Sequence, residues 1–251
     1  LYVRKLPIEG MPITSVYIEW DCKSQSGFFQ LSRNCILYSE IIVTGKLNVT
    51  GIPDAQGNLP KIIGGGSNRL FKVESGGELV VKYLNLTGGV ASGSGDDGKG
   101  GAVFVDGAST FFKSLNCSFE ANNATASGGA IYLSAGTMHI ANSSFNFNFA
   151  VATALYVSSS VGGGAIYNNG GQTTITTTSL VSNVAAHNGG AILSKAGALH
   201  LFWVSMQNNI AQNGGAIYGH AGLQSTVENC TFKLNHATKE MNYYDVAGGG
   251  A

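Results

Sequence analysis

The order of apolar and polar positions along the chain repeats with a step of about 25 residues. Each repeat contains short apolar runs that are separated by turns containing glycine or asparagine. The 3.6-residue spacing of an amphipathic helix does not persist anywhere, whereas β-branched residues and glycine are frequent. The pattern therefore predicts two or three short β-strands in each repeat, and a chain built by stacking copies of one unit.

Two short motifs mark the repeats. One is a glycine pair followed by alanine, and the other is an apolar residue followed by asparagine three positions later and by alanine two positions after that. The glycine motif stands at Gly100-Gly101-Ala102, Gly128-Gly129-Ala130, Gly163-Gly164-Ala165, Gly189-Gly190-Ala191, Gly214-Gly215-Ala216 and Gly249-Gly250-Ala251. The asparagine motif begins at Phe119, Phe145, Leu180, Met206 and Phe232. Such fixed-period self-similarity is typical of a solenoid or a related array.

A repeat of this size, with one strand on each side, winds into a parallel β-helix whose coils stack ~4.8 Å apart. About seven to nine coils fit into residues 36–251, which predicts a rod on the order of 35–40 Å long. Residues 1–35 do not match the repeat and contain Pro7 and Pro12, so they are predicted to form an N-terminal arm or cap. The C-terminal end is predicted to be uncapped, because the chain stops at the opening of a new coil.

Side chains two positions apart on a strand share a face, which predicts the interior of the rod. The first residue of the asparagine motif is apolar in every copy, and the residue two positions before it is small or apolar. Both sets are predicted to face inward. The resulting core ladder consists of Phe119, Phe145, Leu180, Met206 and Phe232, and it is accompanied by Cys117, Ser143, Thr178, Val204 and Cys230. Burying each large apolar side chain contributes about 1.5–3 kcal/mol.

The asparagine of the second motif is predicted to lie at a turn, since asparagine tolerates the left-handed conformation and bonds to nearby backbone groups. Stacked from coil to coil, these residues are predicted to form an asparagine ladder that satisfies turn amides out of reach of water. Its members are Asn122, Asn148, Asn183, Asn209 and Asn235.

Composition excludes several classes of function. Charged residues are 11% of the chain and the net charge is zero, which provides no basic field for nucleic acid. No apolar run reaches the ~18 residues that a membrane span requires. The chain begins at Leu1 without a visible signal peptide, which predicts a processed product or a fragment.

The sequence also predicts a chain without catalysis, metal or cofactor. Acids are scarce in the repeats, and the adjacent Asp96 and Asp97 are expected to point apart in a glycine-rich loop. The oxygen ligands that calcium needs are not grouped, and the five histidines lack metal-ligand spacing. A polysaccharide lyase or hydrolase stays open as the less favoured alternative.

The four cysteines are predicted to serve two purposes. A disulfide between Cys22 and Cys35 would close a loop near the N-terminus and suits a secreted protein. Cys117 and Cys230 hold equivalent positions about four coils apart, ~19 Å by coil spacing. Because a disulfide cannot bridge more than ~7 Å between Cα atoms, these two are predicted to be separate buried thiols.

The glycine and asparagine motifs together resemble the repeats of polymorphic outer membrane proteins, which are surface adhesins. The stretch from Ile62 to Leu79 resembles the opening coils of pectin-lyase-like β-helices. The resemblance covers about residues 36–251 and implies a right-handed parallel β-helix in an extracellular setting. It implies adhesion or surface structure more than catalysis.

Six sequons predict N-linked glycans, at Asn48, Asn85, Asn116, Asn123, Asn142 and Asn229. Three of them, Asn116, Asn142 and Asn229, stand three positions before a core-ladder residue, on the outward side. Trp203 holds the same position and is predicted to be exposed, where its ring can stack on a sugar.

These features predict an extracellular, glycosylated structural rod that associates with copies of itself head to tail as a surface filament. The alternative is a cell-surface adhesin that binds carbohydrate or protein. Its contact residues would be Trp203, Tyr243 and Tyr244, with loops that the insertions near 92–99, 152–161 and 238–246 place at one corner.

Overall fold

The protein is a parallel β-helix, described here from a computed structural model in residues 19–151, 161–220 and 223–238. Its strands form four sheets, and every pairing between strands of successive coils is parallel. Within the described residues, the one helical element is a single 3-10 turn, Gly95–Gly98. The predicted fold class, an all-β parallel solenoid, is confirmed.

Each complete coil runs through the four sheets in the same order, and the sheets are numbered here in that order. Sheet 1 consists of Gly27–Leu31, Lys46–Gly51, Glu78–Lys82, Phe111–Leu115, Thr137–Ala141, Gln172–Thr176, Ala198–Phe202 and Gln224–Glu228. Sheet 2 consists of Cys35–Leu37, Lys61–Gly64, Asn85–Thr87, Ser118–Glu120, Ser144–Asn146, Ser179–Val181, Ser205–Gln207 and Thr231–Lys233. Sheet 3 consists of Val90–Ala91, Asn123–Ala124, Phe149–Ala150, Val184–Ala185, Ile210–Ala211 and His236–Ala237. Sheet 4 consists of Ile41–Val43, Phe71–Val73, Val103–Val105, Ile131–Leu133, Ile166–Asn168, Ile192–Ser194 and Ile217–Gly219.

The eight strands of sheet 1 set the length of the rod. Seven steps of ~4.8 Å between neighbouring strands give about 34 Å along the axis. Strand pairs keep their register from coil to coil: Phe119 pairs with Phe145, and Leu180 pairs with Met206. Equivalent residues of successive coils therefore lie directly above one another.

The interior of the rod is apolar, and large side chains stack along it. The rings of Phe119 and Phe145 lie parallel with centroids 4.5 Å apart. Leu180 and Met206 continue the column and are fully buried. Phe232, in the last described coil, is half-buried and packs against the same core. The five residues of the predicted core ladder thus share one interior column.

Each complete coil contains four strands, more than the two or three that the sequence predicts. The apolar run from Leu199 to Met206 looks like one strand in the sequence, but it is split between Ala198–Phe202 and Ser205–Gln207. Trp203 separates the two halves and adopts a left-handed conformation, with φ of 54°. A left-handed residue turns the chain sharply, so the second half of the run belongs to a different sheet.

The glycine motif serves the corner between sheets 3 and 4. Gly189 has φ of +64°, a value that glycine adopts without steric cost. A Cβ atom at Gly190 would overlap the carbonyl oxygen of Gly215 in the next coil. The glycine pair therefore allows both the turn and the close approach of successive coils.

The N-terminal part of the described chain closes one end of the core. Strand Gly27–Leu31 already belongs to sheet 1, so the sheets begin within the segment 1–35 that the sequence assigns to an arm or cap. Trp20 is 2% exposed and stacks on Phe71 with ring centroids 6.0 Å apart. Its backbone N–H donates to the carbonyl of Gln30 at 2.6 Å. Residues 1–18 lie outside the described residues.

The predicted disulfide between Cys22 and Cys35 is present, with the two Cα atoms 6.1 Å apart. It joins the segment that carries Trp20 to the first strand of sheet 2. The covalent link therefore holds the closing segment against the end of the rod.

Replacing Gly190 by alanine should destabilise the rod, because the new methyl group overlaps backbone that cannot move without separating two coils. We expect a loss of at least about 1–3 kcal/mol, the usual range for overpacked sites. Chemical denaturation monitored by circular dichroism measures the change. The matched control is Gly66→Ala, where the added methyl meets nothing within 4 Å. Equal stability of the two variants would contradict this account of the glycine motif.

Candidate functional site

Five asparagine side chains form a continuous hydrogen-bonded column inside the rod. The Nδ2 group of Asn183 donates to the Phe145 carbonyl at 3.0 Å and to Oδ1 of Asn209 at 3.0 Å. Its own Oδ1 accepts from the backbone N–H of Asn148 at 3.1 Å and from Nδ2 of Asn148 at 2.9 Å. The same contacts recur in neighbouring coils, through Asn122, Asn148, Asn183, Asn209 and Asn235. Each amide thus satisfies buried corner groups of two coils at once.

A second column lies on the outside, at the corner between sheets 1 and 2, and is called here the corner column. Its residues all adopt left-handed φ angles between 46° and 54°, and they are Tyr83, Asn116, Asn142, Thr177, Trp203 and Asn229. This conformation costs most residues roughly 1–2 kcal/mol, and asparagine visits it most readily because its side chain bonds locally. Asparagine is therefore the residue that coil geometry favours at this position.

The small residues beside the corner column hold the bend. The Sγ of Cys117 donates to the carbonyl of Leu115 at 3.3 Å, two residues earlier. In the next coils, the hydroxyls of Ser143 and Thr178 make the equivalent bonds at 2.9 and 2.8 Å. Cysteine, serine and threonine are interchangeable here because each is small and carries a hydrogen to donate.

The two remaining cysteines follow from this arrangement. Cys117 and Cys230 are free thiols, the first buried and the second half-buried in the last described coil. Burial raises the pKa of the Cys117 thiol above its ordinary value. A neutral, hydrogen-bonded thiol of this kind acts as a structural residue.

A shallow groove of about 650 Å³ runs along the corner column. From Tyr83 to Trp203 it spans five coils, and Leu59 of the preceding coil also lines it. Its exposed lining is more apolar than polar, and hydroxyl and amide groups are interspersed with the apolar surface. The thirteen lining residues are Leu59, Tyr83, Asn116, Cys117, Ser118, Asn142, Ser143, Ser144, Thr177, Thr178, Ser179, Trp203 and Ser205. The groove joins residues of successive coils into one concave surface.

The aromatic groups at the two ends of the groove are exposed. Trp203 is 61% exposed and Tyr83 is 42% exposed. The sequence pointed to Trp203 through its position three residues before Met206. It missed Tyr83, although Tyr83 stands three residues before Leu86, because Leu86 is followed by Gly89 in place of the motif asparagine. The position of Tyr83 relative to the inward-facing Leu86 is visible in the sequence. Only the register between the strands of sheet 2 shows that Leu86 is equivalent to Phe119.

The sequon asparagines differ in exposure. Asn142 and Asn229 are exposed corner residues, whereas Asn116 is half-buried. Asn48 is half-buried within a strand of sheet 1. Asn85 donates to Oε2 of Glu120 at 3.2 Å, and Oδ1 of Asn123 is buried.

The corner accounts for much of the sequon pattern. Asparagine favours the left-handed corner position, and the serine or threonine two residues later opens the following strand of sheet 2 on its outward side. A sequon therefore arises at this corner from coil geometry alone.

Arg69 fixes the glycine-rich excursion near residues 92–99. Its side chain is buried, with Nε donating to the carbonyl of Lys99 at 3.0 Å and Nη2 donating to that of Asp96 at 2.7 Å. Nη1 pairs with Oε2 of Glu40 at 3.0 Å, and the guanidinium lies 5.0 Å from the ring centroid of Phe104. Burial lowers the pKa of Arg69, and the Glu40 carboxylate opposes that shift. The excursion is therefore anchored to three coils.

Aromatic residues cover the outer side of sheet 4. Tyr132 and Tyr167 stack with ring centroids 4.7 Å apart, and Phe104 meets Tyr132 edge-on at 5.4 Å. Nζ of Lys99 lies 4.9 Å from the Tyr132 ring centroid. Burial raises the pKa of Tyr132 to about 12, so its phenol stays neutral at physiological pH. This column packs the excursion against the rod.

Residues 19–151, 161–220 and 223–238 contain no group of three or more histidine, cysteine or acidic side chains placed to hold a metal ion. The same residues include no helix with the length and apolar character that a bilayer crossing requires. Two predicted adhesive contacts, Tyr243 and Tyr244, lie outside the described residues. The same holds for most of the insertions near 152–161 and 238–246.

Residues 116–134 and 204–220 match the Chlamydia polymorphic membrane protein repeat. Each matched segment begins beside the corner column and continues through the asparagine column and the glycine motif. No curated protein and no solved structure matches the chain. The match supports a β-solenoid that resembles polymorphic membrane proteins, and it is consistent with a cell-surface location.

Replacing Asn183 by alanine should destabilise the rod strongly, because its backbone and amide partners in the two neighbouring coils are left buried without bonds. Each group left unpaired costs about 1–3 kcal/mol. The free energy of unfolding from urea titration measures the loss. The matched control is Asn146→Ala, an outward residue of the neighbouring coil, for which we expect a change within about 0.5 kcal/mol. A small effect at Asn183 would show that the column is not needed for stability.

Proposed function

We propose that the chain is a non-catalytic, rod-forming segment of a cell-surface protein. The observation that supports this most directly is the asparagine column, which ties the coils of the described rod into one register. A solenoid joined this way holds surface groups at fixed spacing over a long distance. Such a body suits a stalk or display element.

The repeat match supports the surface location, since the matching repeat is that of a membrane protein. The disulfide between Cys22 and Cys35 also favours an oxidising compartment outside the cytosol. We extend the proposal to a head-to-tail filament of copies of this chain. Backbone pairing between the strands of facing coils would supply the contact.

Small-angle X-ray scattering and negative-stain electron microscopy test the rod and its assembly. We expect a scattering curve that matches the β-helix, whose described coils extend about 34 Å along the axis. Filaments whose length grows with protein concentration would support head-to-tail association. A uniform population of monomers would contradict the filament but not the β-helix. A monomer scattering curve that does not fit the β-helix would contradict the rod itself.

We also propose that N-linked glycans are attached at the exposed sequons. When the chain is secreted from a host that glycosylates such sites, Asn142 and Asn229 should carry sugar, since both are exposed corner residues. Asn123, whose Oδ1 is buried, should stay empty. Intact-mass measurement of the wild type, Asn142→Gln and Asn229→Gln checks this, with Asn123→Gln as the control. Full occupancy of Asn123 would contradict the exposure argument.

A second role, adhesion, is favoured by the exposed aromatic side chains of the corner column. Trp203 is 61% exposed and offers a large apolar surface to a partner. A glycan array separates the two roles, because a pure scaffold predicts no selective binding.

A screen for cleavage of pectin-like polysaccharides tests the proposal that the chain is non-catalytic. Measurable turnover would overturn that part of the proposal.

A further inference from the structure

Coil geometry does not explain the two aromatic residues of the corner column. Asn116, Asn142 and Asn229 show that asparagine meets the needs of this corner. Trp203 and Tyr83 adopt the same left-handed conformation with bulky side chains that remain exposed. Phe147 also combines a left-handed φ with an exposed aromatic ring, so these two properties alone assign no function. Trp203 and Tyr83 differ from it because both line one groove that crosses successive coils.

The two aromatic groups stand at a defined distance. The backbone N–H of each corner residue donates to the last strand residue of sheet 1 in the next coil, so the corner residues are successive from Tyr83 to Trp203. Four steps of ~4.8 Å separate these two, which is about 19 Å along the rod. Between them the groove presents serine hydroxyls, with Oγ of Ser144 donating to Oγ of Ser118 at 3.2 Å.

The chemistry of the groove selects its ligand. None of its thirteen lining residues is charged, so it offers no counter-ion to a phosphate, a sulfate or a uronic acid. Hydroxyl and amide groups both donate and accept hydrogen bonds, as the hydroxyls of a sugar require. Exposed aromatic faces stack on the apolar faces of sugar rings. The combination fits an uncharged saccharide.

We propose that this groove binds a neutral, extended polysaccharide along the rod axis, with sugar rings stacked on Trp203 and Tyr83. The rise of ~4.8 Å per coil is close to the length of one sugar residue in an extended β-linked chain, so each coil faces one sugar. The site therefore holds about four to five sugar residues. This inference rests on the adhesive role proposed above and assigns its ligand class.

Binding of soluble β-1,4-linked hexasaccharides of glucose and of N-acetylglucosamine tests the site. The chain is produced in a host that attaches no N-glycans, because a glycan on Asn142 would lie in the groove. Glycan attachment at Asn142 and polysaccharide binding are therefore alternative states of this surface. Trp203 is one of two tryptophans, and the other, Trp20, is buried. We therefore expect ligand to change the tryptophan fluorescence of the wild type, with the affinity measured by calorimetry. Affinity should rise with chain length and level off at about four to five sugars.

Substitutions locate the site. Trp203→Ala should weaken binding about tenfold or more, as loss of one aromatic stacking contact implies, and Trp203→Phe should restore part of it. Tyr83→Ala should also weaken binding. The matched control is Phe147→Ala, which removes an aromatic residue with φ of 54° and 52% exposure at the other edge of sheet 2. Phe147→Ala should leave the affinity unchanged.

Three outcomes would overturn the proposal. One is no binding of either hexasaccharide by a wild-type chain whose circular dichroism and melting show that it is folded. Another is equal loss of affinity in Trp203→Ala and Phe147→Ala. The third is preference for a sulfated hexasaccharide such as one from heparin, which requires cations that the groove lacks. None of these three outcomes would contradict the proposed rod, because scattering and microscopy test the rod without ligand.

Discussion

The need to satisfy buried polar groups where the chain bends is the constraint on which this fold depends. Where the chain passes from one sheet to the next, some backbone amide and carbonyl groups point inward and have no partner in a neighbouring strand. The asparagine side chains meet this need by bonding to the backbone of neighbouring coils and to one another. Because each amide requires its equivalents above and below, a slip by one residue would break the whole column. Register is therefore fixed along the rod.

Fixed register makes every other column of the rod possible. Phe119 stacks on Phe145 because the asparagines beside them are aligned, and the alanines of sheet 3 cluster for the same reason. The small hydrogen donors at the corner hold the bend between sheets 1 and 2 in successive coils. The aligned interior residues and the repeated bend thus place equivalent residues of successive coils above one another. The groove on the outside forms because the corner residues are aligned in the same way.

The corner column contains two kinds of residue, asparagines that suit the bend and aromatic residues that line the groove. At Asn116, Asn142 and Asn229, asparagine takes the left-handed position, and a serine or threonine two residues later completes a sequon. Where the column carries Tyr83 or Trp203, the chain accepts a less favourable conformation and exposes an aromatic ring. The uncharged groove between the two rings gives the rod one face with a chemistry of its own. The segments that match the membrane protein repeat include Asn116 of this column but neither Tyr83 nor Trp203.

The amino-acid sequence by itself determined the solenoid, its period, and the residues of the interior and asparagine columns, because both depend on side-chain chemistry repeated at a constant step. It also pointed to the disulfide between Cys22 and Cys35, whose spacing is local. Tertiary structure alone decided that the run around Trp203 divides between two sheets, since a left-handed φ leaves no mark in hydrophobicity. It alone brought Arg69 against the excursion near residues 92–99 and placed Tyr83 at the far end of a groove from Trp203. Contacts of this kind join residues of different coils, and their distances are fixed only when the coils stack.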